Sequence, residues 1–152
     1  MIPKDVYASI HSLMPIACVD LVIEYEGKIL LVRRWDEPLK DRWFIPGGHL
    51  QRDEVVTQAV KRIARTEVGL DLREEIKLVD YMDLFFTTDP FGHGKGTRTV
   101  SLVFKAAPRG EPSVCLDSHH SEFCWWDGMD ERRLYGPLRD VLCRNFLPEL
   151  CR

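Results

Sequence analysis

An α/β sandwich formed by one domain is the fold class this sequence predicts, and three observations lead to it. β-rich runs are interspersed with two or three helix-patterned stretches instead of following one another through hairpins alone. The chain has 152 residues, enough to enclose one core and short for two. No internal repeat, low-complexity tract or Ser/Gly linker divides it, so residues 1–152 are expected to form a single unit.

Taken in order, the apolar residues of Val6 to Leu13 are loosely helical and Pro15 ends the pattern. "IACVDLVIEY" and "KILLVRR" are β-rich runs on either side of Glu26-Gly27, which reads as a hairpin. Asp20 interrupts the first run, either as a residue on the solvent side of a strand or as part of a substrate site. "RWFIPGG" is a short buried strand stopped by Pro46 and the glycines; a helix follows, with Asp53 a better cap than Arg52 and Gly69 at its end. "EIKLVDYMDLFF" and "TRTVSLVFKAA" are two further strands joined by the glycine-bearing loop "TTDPFGHGKG". "SEFCWWDG" adds one more strand, its Trp125 and Trp126 serving core and interface packing. "ERRLYGPLRDVLCRNFL" is a closing helix interrupted near Gly136-Pro137.

Composition narrows the function. A formal net charge of -3, with 45% hydrophobic and 30% charged residues, provides no basic field for a polyanion, so nucleic acid is not an expected partner. Five scattered cysteines without a C-x-x-C pair suggest neither a disulfide framework nor a zinc cluster, and a reducing cytoplasmic setting is expected. The N-terminus lacks a signal pattern and no apolar run approaches the roughly 20 residues of a membrane span.

The stretch "GGHLQRDEVVTQAVKRIARTEVGL" carries the chemistry. Val56, Val60, Ile63 and Glu67 fall on one face of the helix, so Glu67 is in line with the buried stripe. A carboxylate directed inward is costly unless paired or bound to a cation. From Gly48 the spacing of five residues to Glu54, seven more to Arg62, then Glu67, Gly69 and Leu70 resembles the box of the Nudix hydrolases. Ile63 and Thr66 stand where that box has two glutamates. Clustered carboxylates let a site hold two or three hard divalent ions, so a single one limits it to about one ion.

The same two departures resemble the GDP-mannose mannosyl hydrolases, a Nudix branch that cleaves the sugar C1–oxygen bond. "DVYASIHSLMPIACVDLVIEYEGKILLVRR", "RWFIPGGHLQRDE" and "HHSEFCWW" are similar to landmarks of that branch. The resemblance implies a Nudix-type α/β/α sandwich with a mixed β-sheet and a homodimer. It also implies a magnesium- or manganese-dependent hydrolase of a nucleotide sugar.

Carried over by position, the resemblance makes the Gly48 carbonyl and Glu67 carboxylate metal ligands. His119 takes the place of a third ligand, a glutamine, and His120 that of the general base. Nitrogen suits manganese or zinc better than magnesium, so either the metal preference shifts or His119 is not a ligand. Glu54 and Arg62 match residues that hold the loop onto the helix. Asp20 matches an aspartate that would steady charge building on the sugar. His49 replaces an arginine, which removes a permanent charge beside the diphosphate. Arg33 and Arg34 are candidates for clamping phosphate, with Arg34 preferred because alternate strand residues face opposite ways. Trp35 is expected either to stack on a nucleobase or to pack, and Lys95 either to approach a phosphate or to lie on an idle turn. His11 and His93 receive no role.

Three functions follow: carbon attack on a nucleoside-diphosphate sugar, ordinary Nudix attack on phosphorus, or a silent nucleotide-binding domain.

Overall fold

The Glu26-Gly27 turn sets the first register of the sheet. Both residues have positive φ, 49° and 72°, the handedness that a two-residue hairpin requires, and strand β1 (Ile16–Tyr25) folds back onto β2 (Lys28–Arg34) with Tyr25 opposite Lys28. The computed structural model describes residues 2–130 and 134–146. Before the hairpin lies helix α1 (Lys4–Leu13), which begins one residue after Pro3 and packs against β6 (Thr97–Ala106).

After β2 the extended segment divides in two instead of forming one strand. Trp43–Phe44 (β3) pairs with β2, and Gly47–His49 (β4) pairs with β1. Pro46 lies at the changeover; having no N–H to donate, it offers its carbonyl to the Leu21 N–H at 2.8 Å. Helix α2 (Val56–Val68) follows, and its start differs from the expected Asp53 cap. Asp53 is exposed, in a turn beside Arg52, and Val55 is the cap residue, with its N–H held by the Gln58 side chain at 3.0 Å. Gly69, at φ 68°, ends the helix as its spacing suggests.

Strands β5 (Lys77–Phe86), β6 and β7 (His120–Trp126) complete a mixed sheet ordered β3-β2-β1-β6-β5, with β4 attached to β1 and β7 to β2. β1 and β6 run parallel, while the other pairs are antiparallel. Helix α3 (Gly136–Asn145) begins at Gly136-Pro137, a correction to the expected interruption there: proline fits the first turn, where its missing N–H has no partner to lose. Residues 131–133 and 147, part of the same expected helix, lie outside the described residues, as does Cys151.

Alternation along the strands separates two cores. Val19, Leu21 and Ile23 of β1 join Val60, Ile63 and Val68 of α2, while Val22 joins Leu138, Val141 and Leu142 of α3. Helices therefore cover both faces, giving the α/β/α sandwich. Trp125 packs toward the α2 side and Trp126 toward the α3 side. Among the described residues, no helix is long and apolar enough to cross a membrane.

Candidate active site

Two register relationships bring the sequence-nominated residues to one end of the sheet. On β1 and β4, Asp20 stands opposite Gly47, Val19 opposite Gly48 and Cys18 opposite His49. On β2 and β7 the ladder steps from Arg33–Glu122 to Arg34–His120, leaving Ser121 as an extra residue, so a bulge brings His120 beside Arg34.

Glu67 projects from the last turn of α2 toward the two glycines. Its Oε2 accepts the Gly47 N–H at 3.0 Å, and its Oε1 lies 3.6 Å from where a Cβ on Gly48 would stand. Burial pushes its pKa up to about 8; the Gly47 N–H and Arg34 oppose that rise, while Asp117 and Asp20 add to it. Such a carboxylate gains from a cation. Among the described residues no three His, Cys, Asp or Glu side chains converge into an all-protein metal cage. Glu67 with a backbone carbonyl and solvent or substrate oxygens nonetheless suits magnesium, which keeps several waters and takes one or two carboxylates. The donor set fits a divalent ion.

The two box positions that lost glutamate are put to other uses. Ile63 is 1% exposed in the α2-side core, where a carboxylate would be unpaired, and the Thr66 hydroxyl bonds the Arg62 carbonyl at 2.9 Å.

Asp20 is 6% exposed, which excludes the solvent-side reading of this residue. The Ser101 hydroxyl donates to its Oδ2, and burial raises its pKa to about 7 against the pull of that bond and of Arg34. Arg34 is the common positive neighbour: its charge acts on Cys18, Asp20, His49, Glu67 and His120, while its Nε is held by the Pro38 carbonyl at 2.8 Å. Arg33 turns away, into an ion pair with Glu122 at 2.6 Å.

His120 is 5% exposed, with Nδ1 2.7 Å from Asp117 Oδ1. Burial lowers its pKa, Asp117 pulls the other way, and Arg34 and His119 reinforce the lowering. At neutral pH its ring is thus a proton acceptor. His119 is exposed and pairs through Nδ1 with Asp36, the main cause of its raised pKa. His49 has an exposed edge, yet desolvation and the charges of His11, Arg34 and Arg62 lower its pKa; the Tyr7 hydroxyl meets its Nδ1 at 2.6 Å.

Glu54 and Arg62 form a two-bond ion pair that also reaches the His49 carbonyl, so the loop is fastened to the helix. Trp35 is 52% exposed, and its backbone N–H donates to the His119 carbonyl at 2.8 Å. Lys95 is the outlier: its Nζ is directed to the Ser12 carbonyl at the end of α1, 3.4 Å away. The loop around it also packs on α1 through His11–His93 and Tyr7–Phe91.

Sequence reasoning missed Asp117, Ser101, Tyr7 and Asp36. Only Asp117 had a local signal, the three-residue step to His120 in "DSHH"; the others meet their partners through the fold alone.

Comparison with known proteins shows the family. The low-salt glycan biosynthesis protein Agl8 of Haloferax volcanii is 38% identical over 121 residues, which cover 80% of this chain and 76% of that protein. An ADP-ribose pyrophosphatase of Methanocaldococcus jannaschii is 36% identical over 92 residues, 60% of this chain and 50% of that one. Among solved structures, a MutT NUDIX hydrolase from Burkholderia pseudomallei aligns with a TM-score of 0.70 at 29% identity, covering 85% of this chain and 96% of that chain. The family model described as the NUDIX domain matches residues 14–142, the span from the end of α1 to α3 that holds the glycines, Glu67 and His120, and the chain belongs to the Nudix family.

Proposed function

We propose that this chain is a divalent-cation-dependent hydrolase of a nucleoside-diphosphate sugar, of the GDP-mannose or GDP-glucose kind, that releases the nucleoside diphosphate and free sugar through water attack at C1. One observation carries the reading: Glu67 alone of the three box positions presents a carboxylate to Gly47 and Gly48, and a buried neutral His120 stands at the same end of the sheet. Such a site suits one ion under a diphosphate and a separate proton acceptor for water. The glycan-biosynthesis name of the relative from Haloferax volcanii adds weight to a sugar nucleotide.

Each residue then has a task. Gly48 and Glu67 would hold magnesium or manganese, which when bound supplies charge neutralisation that makes the diphosphate a better leaving group. Arg34 grips the diphosphate, and Arg33, tied to Glu122, contributes at most from the rim. His49, uncharged in its lowered-pKa state, offers hydrogen bonds in place of an arginine's charge. His119, with its charged form favoured by Asp36, donates to phosphate instead of ligating the cation. Trp35 stacks on the base, and Lys95 has no part in this reading. His120 removes a proton from water, and the resulting hydroxide oxygen bonds C1 as the C1–O bond breaks and its electron pair leaves with the diphosphate. Asp20 steadies positive charge on the ring. A single displacement inverts the anomeric carbon. The chain acts as a cytoplasmic homodimer in this reading, with mass in solution checking the dimer.

A second reading, attack on phosphorus, is favoured by the ADP-ribose pyrophosphatase relative. Turnover of GDP-, UDP- and ADP-sugars in oxygen-18 water decides: label in the sugar supports carbon attack, and label in a phosphate product refutes it. Absence of turnover with magnesium or manganese in both wild type and Glu67→Gln would point to a silent binding domain.

A further inference from the structure

The segment entering β7 holds a carboxylate that is fixed from two directions. The Asp117 N–H donates to the Glu67 carbonyl at 3.0 Å, which ties it to the end of α2. Its Oδ1 accepts the His119 N–H at 3.0 Å and faces His120 Nδ1 at 2.7 Å. The His120 side chain is 2% exposed, so its ring orientation is set by its protein contacts. From these contacts we infer that Asp117 is a positioning residue that fixes His120 in the tautomer protonated on Nδ1 and leaves the Nε2 lone pair for the nucleophilic water.

Donors and acceptors must match at this contact. An ionised carboxylate only accepts hydrogen bonds, so the nitrogen facing it carries the hydrogen. A neutral imidazole has one N–H, and placing it on Nδ1 makes Nε2 the acceptor. The bond also fixes the ring plane, as the carboxylate does for histidine in hydrolytic triads. During the reaction an O–H bond of water breaks and an N–H bond forms at Nε2, while the Nδ1 proton stays on its own nitrogen, hydrogen-bonded to Asp117. Because the Asp117 amide is bonded to the residue proposed to hold the cation, the base and the cation site share one anchor.

The catalytic consequence rests on the reading of His120 as the base; the tautomer does not. Imidazole nitrogen-15 spectra of the magnesium-loaded protein, without substrate, report which nitrogen is protonated. The expected wild-type result is His120 protonated on Nδ1, with Asp117→Ala shifting it toward the Nε2-protonated form that free imidazole side chains prefer. Asp117→Asn retains Oδ1 as the acceptor for both the His119 N–H and the His120 Nδ1–H, so it keeps the turn and serves as the control, with His120 expected to stay protonated on Nδ1. An Nε2-protonated wild type, or an Asp117→Ala variant with the wild-type signal, overturns the inference. In Asp117→Ala kcat is expected to fall about 10- to 100-fold, with KM within about twofold. A shifted tautomer with unchanged kcat leaves Asp117 in its role and removes His120 from the chemistry.

Discussion

The Glu54 carboxylate grips the Arg62 guanidinium twice, at 3.0 Å to Nε and 2.6 Å to Nη2, and that same Nη2 donates to the His49 carbonyl at 2.9 Å. A planar fork with three acceptors is not reproduced by an ammonium. Arg62→Lys is therefore expected to cost about 1–2 kcal/mol in chemical denaturation and to lower kcat by loosening the strand that carries Gly48. The Arg62 hydrogen bond holds Glu54 below its ordinary pKa. A depressed carboxylate adds stability above its unfolded pKa, which is lost as pH falls through the folded value. The deficit of Arg62→Lys relative to wild type should thus be full at pH 7 and shrink below about pH 4.

Asp20 has the opposite sign. Its folded pKa of about 7 exceeds the ordinary value of 3.8, so the neutral carboxyl favours the folded state most below about pH 4 and that contribution disappears as pH rises through 7. Metal-free wild type is expected to lose up to about 4 kcal/mol across this window relative to Asp20→Asn, an upper bound set by the shift. Melting temperatures of both proteins from pH 4 to 8 test it; parallel curves would refute the assignment.

Adjacent glycines should respond differently to the same change. A Cβ on Gly47 would fall 1.7 Å from Asp20 Oδ1 and 3.0 Å from the Val19 carbonyl oxygen, so Gly47→Ala must displace the buried Asp20 carboxyl or shift β4 against β1. A Cβ on Gly48 meets Ile63 at 3.5 Å and Glu67 at 3.6 Å, ordinary contact distances. Thermal melts are expected to show Gly47→Ala destabilised by about 1–3 kcal/mol and Gly48→Ala within about 1 kcal/mol of wild type.

Trp35 is 52% exposed and follows Arg34 in the chain, so part of its indole is open to a stacking partner. Trp35→Ala is expected to raise KM about tenfold with kcat retained, in line with stacking of about 1–3 kcal/mol per base. A KM unchanged for every base tested would exclude the stacking role.

Features set by short-range chemistry were legible in the sequence. Glu26-Gly27, the Gly69 helix end and the inward Glu67 stripe depend on turn geometry and periodicity, and the structure contains each one. β4 was not separable from β3, since two glycines have no strand preference and join the sheet only because β1 offers a partner. Asp53 lost the cap to Val55 because the helix begins later than a side-chain preference alone suggests, with Gln58 reaching back to the Val55 N–H. Asp20 could not be oriented without knowing that β6 runs alongside and places Ser101 beneath it. The site's long-range pairs were hidden for the same reason: Tyr7 is 42 residues from His49 and Asp36 is 83 from His119.

The changeover at Pro46 bears on how the protein breathes. Residues 43–49 are sewn to β2 and then to β1, and the chain continues to a bond between the Leu50 N–H and the Ala17 carbonyl at 3.0 Å. Peeling the glycine floor away would require unpicking both seams together. Deuterium should consequently enter at the Leu21 and Leu50 amides among the slowest in the molecule, leaving substrate entry to the outer rim while the floor stays shut.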